Sequence, residues 1–443
     1  MAPTTPPQAP AALPVLGHAP AFVRDPLAVV SAGRQAHGPV FTLRLGPKRA
    51  AVVVGVDESR AAINEPETTL AVAPVYQWLR PMFGAVMQAA DHADYLVQRA
   101  ALLPVFRGRQ VADHTAAVTE DVSGWIDGLG PSGTFDAGRD LERLTLDIAT
   151  RLVLGKDFRE RHGDTFRPLF RDVAAGMEFV LPSWTPTPRL LRRNRARKRL
   201  FALLAPQVRR ARTDPDPAGQ GFLAHLAAST AADGAPFDDD TVTGLALVLV
   251  YAAYETTAAQ LAWSVLLLLQ HQGELAATAK EIHTELADAD PTPGTLHRLT
   301  RLGWCLQEAQ RLRPVTTMLT RQVAAPFEVA GFTVPKGWTT LFCPPVTHRD
   351  PDRYPDPERF DPERFSTARD PDGRAAAGLL NMGGGGHACL GGRVADIEMK
   401  LIIALLLRRY ELTLSGPAPE PTRKPGISRP AGPCPVAYRQ LPQ

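Results

Sequence analysis

The sequence has 443 residues and is 44% hydrophobic, which is enough to bury one large core or the cores of two to three ordinary domains. A formal net charge of only +3 argues against nucleic acid as a partner. The four cysteines, Cys305, Cys343, Cys389 and Cys434, lack the C-x-x-C spacing of a structural zinc site. Scattered cysteines in a long chain predict reduced thiols and a cytoplasmic protein.

The residue pattern, and the structure that it predicts, changes twice in the N-terminal part of the chain. Residues 1–12 are rich in proline, predict a disordered leader, and carry neither a charged nor an apolar segment of the signal-peptide or anchor type. Residues 39–56 predict a β-hairpin around Gly-Pro. The pattern from 57 to 310 is helical, with turn-rich breaks at 129–136, 213–221 and 287–294.

After residue 314 the pattern becomes mixed. Short β-like runs occur at 327–334 and 338–346, a Pro/Asp/Arg-rich stretch follows, and residues 390–409 predict a last long helix. No internal repeat or long linker divides the chain. The simplest interpretation is therefore a single, mainly α domain from residue 13 to residue 443 with a minor β part.

One segment, residues 245–269, is apolar enough to cross a bilayer. Asp238 is a good N-cap residue and Gly273 a natural stop, so a helix from about 240 to 272 is expected, with a length of roughly 50 Å. Glu255 and Thr256 lie in its middle, where a carboxylate is costly in lipid, so a buried central helix is favoured over a transmembrane span. A buried acid beside a hydroxyl suits a proton relay; a structural polar pair is the alternative.

The most informative stretch is NMGGGGHACLGGRVADIEMK, residues 381–400. Glycines allow a close approach of the backbone to a ligand, and backbone N–H groups together with the following helix favour a thiolate at Cys389. The loop therefore suits one thiolate held against a large ligand as a soft metal ligand. A phosphate-binding loop lacks its Gly-Lys-Ser/Thr ending here, and a nucleophilic cysteine would need His387 as a base from an awkward position; both remain alternatives.

These residues carry a family resemblance. The haem-binding loop of cytochrome P450 monooxygenases has the spacing of Gly383, Gly385, His387, Cys389, Gly391 and Ala395. The family's E-x-x-R helix is matched by Glu308 and Arg311, with Arg364 as the arginine that completes the cluster. AAYETT, residues 252–257, resembles the oxygen-activating stretch of the family's central helix. The resemblance runs in family order from about residue 12 to the end.

The resemblance implies the P450 fold: a mainly α single domain with a minor β part and a long central helix over haem b. It implies that Cys389 ligates the iron and that Glu255 and Thr256 are catalytic, delivering protons. Haem contacts are expected from Tyr76, Arg99, Arg321, Gly385, His387, Cys389 and Gly391. Glu308, Arg311 and Arg364 are expected to be structural, fixing the layer beneath the haem.

A closer branch is suggested by residues 76–111, which resemble the bacterial sterol 14α-demethylases without gaps. That branch has a histidine where this chain has Glu255 and a glycine where it has Ala253. Met382 also departs from the family, which usually has phenylalanine there. The resemblance therefore implies another lipophilic substrate, such as a terpenoid or polyketide of secondary metabolism, which is most simply hydroxylated. Sterol demethylation is the alternative.

The substrate pocket is expected from family position and from apolar character. Its expected members are Trp78, Leu79, Met82, Phe83, Met87, Phe179, Tyr251, Ala252, Val315, Thr316, Met318 and Leu319, with Met177, Val180 and Trp184 in a lid. An aromatic and methionine-rich set at helical spacing is also typical of an ordinary core. In the P450 fold that the resemblance implies, these side chains favour a bulky lipophilic ligand.

The chain contains no flavin or iron–sulfur motif, so the resemblance implies a separate ferredoxin and ferredoxin reductase as electron donors. A monomer without a transmembrane anchor is expected. The basic run at 188–200 suits a solvated helix face or a membrane-surface contact, and nucleic acid least of all, because no aromatic residues interleave. A peroxide-driven haem enzyme and a non-catalytic haem-binding protein are the remaining alternatives.

Overall fold

The computed structural model describes residues 4–178, 181–213, 221–287, 289–422 and 426–442. Most of these residues lie in helices. The α-helices are α1 (Ala19–Arg24), α2 (Pro26–His37), α3 (Val56–Ile63), α4 (Arg80–Phe83), α5 (His92–Leu102), α6 (Arg109–Asp127), α7 (Arg139–Leu154), α8 (Lys156–Ala175), α9 (Pro188–Thr213), α10 (Gly221–Ala227), α11 (Asp239–Gln270), α12 (Gln272–Leu286), α13 (Pro293–Arg298), α14 (Thr300–Leu312), α15 (Pro344–Thr347), α16 (Arg374–Ala377) and α17 (Gly392–Arg409).

The strands form a minor part. They are β1 (Val40–Leu45), β2 (Lys48–Val53), β3 (Leu70–Ala71), β4 (Ser132–Asp136), β5 (Leu319–Val323), β6 (Phe327–Val329), β7 (Phe332–Val334), β8 (Thr339–Phe342), β9 (Tyr410–Leu414) and β10 (Pro435–Gln440). The larger sheet has the order β1-β2-β8-β5-β3, a second sheet has the order β4-β10-β9, and β6 pairs with β7. Within the larger sheet only β2 and β8 run parallel.

Helix α11 is the centre of the fold. It begins after Asp238, whose carboxylate accepts a hydrogen bond of 2.6 Å from the backbone N–H of Thr241. Its sequence is apolar on every side, so the helix must be covered all round, and α4, α7, α9, α10, α12, α14 and α17 pack against it. By length and hydropathy α11 could cross a membrane, but 78% of its apolar window is buried within the fold. The expected buried central helix is confirmed within two residues at each end.

The predicted hairpin is confirmed as β1 and β2, with Val40 opposite Val53. The break predicted at 129–136 differs, because Ser132–Asp136 forms β4. This strand pairs with β10, whose Val436 lies opposite Phe135. A short strand that contains Gly133 and Asp136 has little intrinsic β-propensity, so its conformation depends on a partner almost at the other end of the chain.

The described part of the proline-rich leader is packed against the larger sheet, in contrast to the disorder expected for residues 1–12. The Thr42 backbone N–H donates to the Pro7 carbonyl (2.7 Å), and the Ala9 N–H donates to the Thr42 carbonyl (2.9 Å). Proline lacks an N–H but keeps its carbonyl acceptor, so a proline-rich segment can line the edge of a sheet. The domain boundary at residue 12 stays a prediction.

Gly244 provides a test of how closely α11 is packed. A Cβ at this position would lie 2.1 Å from the Phe83 carbonyl oxygen, which is rigid backbone. We expect Gly244→Ala to lower the free energy of unfolding by about 1–3 kcal/mol through overpacking. The matched control is Gly273→Ala in α12, where a Cβ meets nothing within 4 Å. Denaturant unfolding followed by circular dichroism measures both; equal midpoints for Gly244→Ala and the wild type would contradict the packing.

Candidate active site

The glycine-rich loop before α17 folds back on itself and against the end of α3. The backbone N–H of Cys389 donates to the Met382 carbonyl at 2.8 Å and closes the loop. Gly383 and Gly385 have φ of 66° and 58°, the left-handed region in which glycine avoids Cβ strain. A Cβ at Gly384 would lie 2.7 Å from Cγ2 of Ile63. The glycines are therefore required by turn geometry and by close packing at this site.

Cys389 lies at the entrance to α17. The backbone N–H groups of Gly391 and Gly392 donate to its sulfur, and the Arg99 guanidinium is near enough to interact electrostatically. Burial raises the pKa of the Cys389 thiol, and these donors and the arginine partly offset that effect. The side chain is nevertheless solvent-accessible, so it lies in a recess. Since a coordinated cation deprotonates a thiol, the donors would serve the thiolate of a metal-bound Cys389.

Polar and aromatic side chains contact the glycine-rich loop on the side that faces α5. His387 Nε2 lies 2.7 Å from Oε2 of Glu67, and its ring stacks on Tyr95 with centroids 4.3 Å apart. Arg99 Nη1 donates to the Ala388 carbonyl at 3.0 Å. The histidine–carboxylate hydrogen bond lowers the pKa of Glu67 against the opposing effect of burial. The His387 ring of the loop is thus held by Glu67 and Tyr95, and the Arg99 guanidinium is held by the loop backbone.

Arg321 on β5 is buried. Its guanidinium donates to the Thr320 carbonyl at 2.8 Å, and within the described ranges no carboxylate lies within the 4.0 Å of an ion pair. It is close enough to Tyr95 to counter the burial that raises the pKa of that phenol. A buried cation without a counter-charge is costly, so this position favours an anionic group on a ligand.

The middle of α11 is the one part of that helix with solvent-accessible residues among those described between Val242 and Leu269. Ala252 and Ala253 are exposed, and Glu255 and Thr256 are half-buried. The Thr256 hydroxyl donates to the Ala252 carbonyl at 2.7 Å. Since the hydroxyl hydrogen is thereby used, the Thr256 oxygen remains free to accept a hydrogen bond. The small side chains and this acceptor leave room for a ligand beside the helix.

These features fit haem, for four reasons that rest on separate residues. Cys389 is an accessible sulfur within a cradle of N–H donors, and Arg321 is a buried cation suited to a propionate. Nδ1 of His387 is buried and has no partner among the described residues. Ala252 and Ala253 leave an accessible stretch in a helix that is otherwise covered. The expected contacts of Tyr76, Arg99, Gly385 and Gly391 with haem stay predictions.

Glu308, Arg311 and Arg364 form a buried cluster, as the family resemblance implied. Arg311 donates from Nε to Oε2 of Glu308 at 2.7 Å and from Nη2 to Oε1 at 2.9 Å, and Arg364 donates from Nε to Oε1 at 3.1 Å. Arg311 also donates to the carbonyls of His348, Pro357 and Arg359. The buried charges are therefore paired, and the remaining donors are used to hold the irregular segment after α15.

Several expected pocket residues are brought together beside α11. Phe83 and Tyr251 have ring centroids 5.5 Å apart, and the rings of Tyr76 and Trp78 are 6.1 Å apart. The cluster around α11 contains Leu79, Met82, Phe83, Met87, Tyr251 and Val315 in its buried part, with Tyr76, Trp78 and Met177 packed against it. These side chains provide an apolar wall, while their role as substrate contacts stays a prediction.

Two other expected pocket residues, Met318 and Leu319, are placed apart from this cluster. Met318 packs with the residues between β1, β2 and α2, whereas Leu319 packs on the cluster that includes Phe327 and Phe342. Adjacent residues in an extended chain point to opposite faces, so these two side chains separate. Thr316 pairs with Ile427 in an isolated β-bridge. Phe179 and Val180 lie outside the described residues, and Trp184 is exposed.

Sequence patterns missed a part of the site that comes from the C-terminal segment. Ile427 packs against the main cluster, and the Ser428 N–H donates to the Val315 carbonyl at 2.8 Å. The guanidinium of Arg429 donates to Glu255 in the middle of α11. Glu67, the partner of His387, was missed as well. No local signal could have identified these residues, because each acts through a contact with a distant part of the chain.

Comparison with known proteins gives consistent matches. The family model described as cytochrome P450 matches residues 6–436. Cyclooctat-9-en-7-ol 5-monooxygenase of Streptomyces melanosporofaciens is 31% identical over 91% of this chain and 89% of its own length. Obtusifoliol 14-alpha demethylase of Triticum aestivum is 30% identical over 94% of both chains. Sterol 14alpha-demethylase of Mycobacterium tuberculosis is 28% identical over 96% of both.

A solved structure has the same fold. The retinoic-acid-bound cyanobacterial CYP120A1 superimposes with a TM-score of 0.87 and 27% sequence identity, covering 100% of both chains. The fold and the family imply haem b as the cofactor. Because the family model spans almost the whole sequence and the fold agrees along its entire length, this chain belongs to the cytochrome P450 family.

Proposed function

We propose that this P450 monooxygenase hydroxylates a lipophilic small molecule of the terpenoid or polyketide class in secondary metabolism, with electrons from a separate ferredoxin and ferredoxin reductase. The observation that carries the proposal is the accessible stretch of α11, where an acid and an alcohol, Glu255 and Thr256, interrupt an otherwise covered helix. A monomer in the cytoplasm is the simplest state for such an enzyme.

Haem with a thiolate ligand supplies oxygen activation and substrate oxidation. In our proposal Cys389 is that ligand, and the N–H groups of Gly391 and Gly392 hold its sulfur. The haem propionates would be held by His387, Arg99, Arg321 and Tyr76, and Gly385 and Gly391 would allow the loop to approach the haem closely. The charge and donors around the loop support these roles.

Glu255 and Thr256 would transfer protons to the reaction site. The Thr256 hydroxyl is oriented by the Ala252 carbonyl, so its oxygen can accept a hydrogen bond on the accessible side of α11. The Glu255 carboxyl would supply protons from its neighbouring position. General acid catalysis by a positioned side chain typically contributes about 10²–10⁴-fold in rate.

The substrate class is supported by the wall around Phe83 and Tyr251. The apolar cluster suits a rigid hydrocarbon skeleton, and dispersion contacts with its aromatic and methionine side chains would hold such a ligand. One relative is named a cyclooctat-9-en-7-ol 5-monooxygenase, and others are sterol demethylases. Glu255 and Ala253 differ from the residues that the resemblance assigns to the demethylases, which favours the terpenoid class, with sterol demethylation as the second candidate.

The electron donor is proposed from charge and from what the sequence lacks. The chain carries no flavin or iron–sulfur motif of its own. Arg393 is exposed at the beginning of α17, four residues after Cys389. Positive charge near the thiolate side would steer an acidic ferredoxin and make the encounter dependent on salt.

Replacing Cys389 tests the proposed thiolate ligand. We expect the reduced, CO-bound wild type to show a thiolate-type Soret band, and Cys389→Ser to lose it, since a hydroxyl is a much weaker donor to iron. The matched control is Cys434→Ser, which removes a buried sulfur in the C-terminal segment and should keep the band. A histidine-type band in the wild type, or an unchanged band in Cys389→Ser, would contradict the assignment.

Ligand spectra and reconstituted turnover test the substrate class and the electron source. We expect cyclooctat-9-en-7-ol and other terpenoids to cause a high-spin shift and to bind more tightly than lanosterol or obtusifoliol. With a plant-type ferredoxin, its reductase and NADPH, mass spectrometry should show one added oxygen. Tighter binding and demethylation of the sterols would instead support the second candidate.

Replacing Thr256 tests the proton-handling role. With the best ligand, Thr256→Ala should divert reducing equivalents to hydrogen peroxide and lower product per NADPH by about tenfold or more, whereas Thr256→Ser keeps the hydroxyl and should stay near the wild type. Product and peroxide are measured together. Turnover with peroxide alone, unaffected by Thr256→Ala, would point to a peroxide-driven enzyme, and binding without any product to a non-catalytic haem protein.

A further inference from the structure

Two histidines and one carboxylate meet beside the glycine-rich loop. Glu67 follows α3, His92 is the first residue of α5, and His387 belongs to the loop before α17. Nε2 of His387 lies 2.7 Å from Oε2 of Glu67, and one potential ligand atom of each of the three residues lies within 4.8 Å of the others. Three stretches that are distant in the sequence therefore bring two imidazoles and a carboxylate to one point.

The surrounding contacts hold these side chains in place. Oε1 of Glu67 accepts a hydrogen bond of 2.8 Å from the Val72 backbone N–H, which leaves Oε2 turned toward His387. The buried ring of Tyr95 stacks on His387 with centroids 4.3 Å apart and on His92 with centroids 6.5 Å apart. Because these contacts position the groups in advance, less conformational entropy is lost when they bind a common ligand.

The chemistry of the three groups selects the ion. Imidazole nitrogens and a carboxylate oxygen are ligands of Zn²⁺, whereas Ca²⁺ and Mg²⁺ prefer sets of oxygen atoms. Zinc bonds to such atoms are about 2.0–2.2 Å long, so the ligand atoms of a tetrahedral site are roughly 3.3 Å apart. The ligand atoms of Glu67 and His387 are somewhat closer than this, and the exposed side chain of His92 can turn to complete the set. Three protein ligands leave a fourth position for water.

The second ring nitrogen of His387 connects this site with the proposed haem site. Nδ1 is buried and has no partner among the described residues. A metal ion on Nε2 leaves the proton of the neutral ring on Nδ1. A metal-bound histidine usually donates this other N–H to a carboxylate, and a haem propionate is the carboxylate that our proposed function provides.

We propose that Glu67, His92 and His387 bind one divalent transition-metal ion, Zn²⁺ in preference to Mg²⁺ or Ca²⁺, and that the bound ion links α5 to the glycine-rich loop. The hydrogen bond between Glu67 and His387 is complete with two side chains, and the metal accounts for the convergence of the third. The metal site depends on the three side chains alone, whereas its effect on the haem rests on the proposed function.

Zinc titration of the holoenzyme tests the site directly. Protein without a polyhistidine tag is treated with a chelator, dialysed and titrated with ZnCl₂ in a calorimeter. We expect one tight equivalent for the wild type, and binding weaker by at least about tenfold in His92→Ala and Glu67→Gln, since losing even a hydrogen-bond partner of a ligand typically costs that much. Glu67→Gln keeps an acceptor for the Val72 N–H. The matched control is His283→Ala, which removes an exposed histidine of α12 and should bind zinc like the wild type.

X-ray absorption at the zinc edge identifies the ligand atoms. We expect nitrogen and oxygen neighbours at about 2.0–2.2 Å and no sulfur. A sulfur neighbour at about 2.3 Å would place the ion at a cysteine and overturn the proposal. Several weak equivalents that persist in every variant would show adventitious surface ions only, and a tight equivalent that His92→Ala leaves unchanged would place the zinc elsewhere; either result also overturns it.

Haem retention measures the link between α5 and the loop. We expect zinc to slow the transfer of haem from the wild type to apomyoglobin and to have no such effect in His92→Ala, while His283→Ala should behave like the wild type. One equivalent of bound zinc without a change in the rate of haem loss would overturn the link. The proposed function fails separately, because a histidine-type Soret band would contradict Cys389 as the iron ligand and leave the zinc titration unchanged.

Discussion

A helix that is apolar on every side has to be covered by other parts of the fold, and α11 is such a helix. Its 32 residues cannot be left in water on any side. The helices around it therefore cover it from several directions, and the accessible stretch at Ala252 and Ala253 stands out for that reason. A carboxylate at Glu255 is tolerated in this helix because a cation from outside the helix reaches it.

The cluster of Glu308, Arg311 and Arg364 provides hydrogen-bond partners for buried backbone. The segment from His348 to Arg364 has little regular structure, so its carbonyl groups need partners from elsewhere. Arg311 supplies several of them, and Glu308 fixes the orientation of Arg311 while accepting from the Asp361 backbone N–H at 2.8 Å. A buried ion pair that contributed only to stability could be replaced by apolar side chains. Here Arg311 also provides hydrogen bonds to backbone carbonyl groups that lie outside regular helices and strands.

A feature could be predicted from the sequence when the residues that determine it are close together in the chain, and could not when they are far apart. The hairpin, α11, α17 and the loop around Cys389 depend on neighbouring residues, so period, caps and glycine spacing predicted them. The strand β4 depends on β10, and the pairs Glu67–His387 and Glu255–Arg429 join residues far apart in the chain. Met318 and Leu319 show the same limit, because the face that each takes is decided by the sheet around them.

The C-terminal segment makes two contacts with residues that are distant in the sequence. Ser428 donates its backbone N–H to Val315, beside the apolar wall, and the next residue, Arg429, supplies the counter-charge of Glu255. Val315 belongs to the buried part of the apolar wall, and the Arg429 guanidinium offsets the cost of burying the Glu255 carboxylate. The apolar wall and the charge balance of the central acid therefore both depend on contacts that the same short stretch of backbone makes.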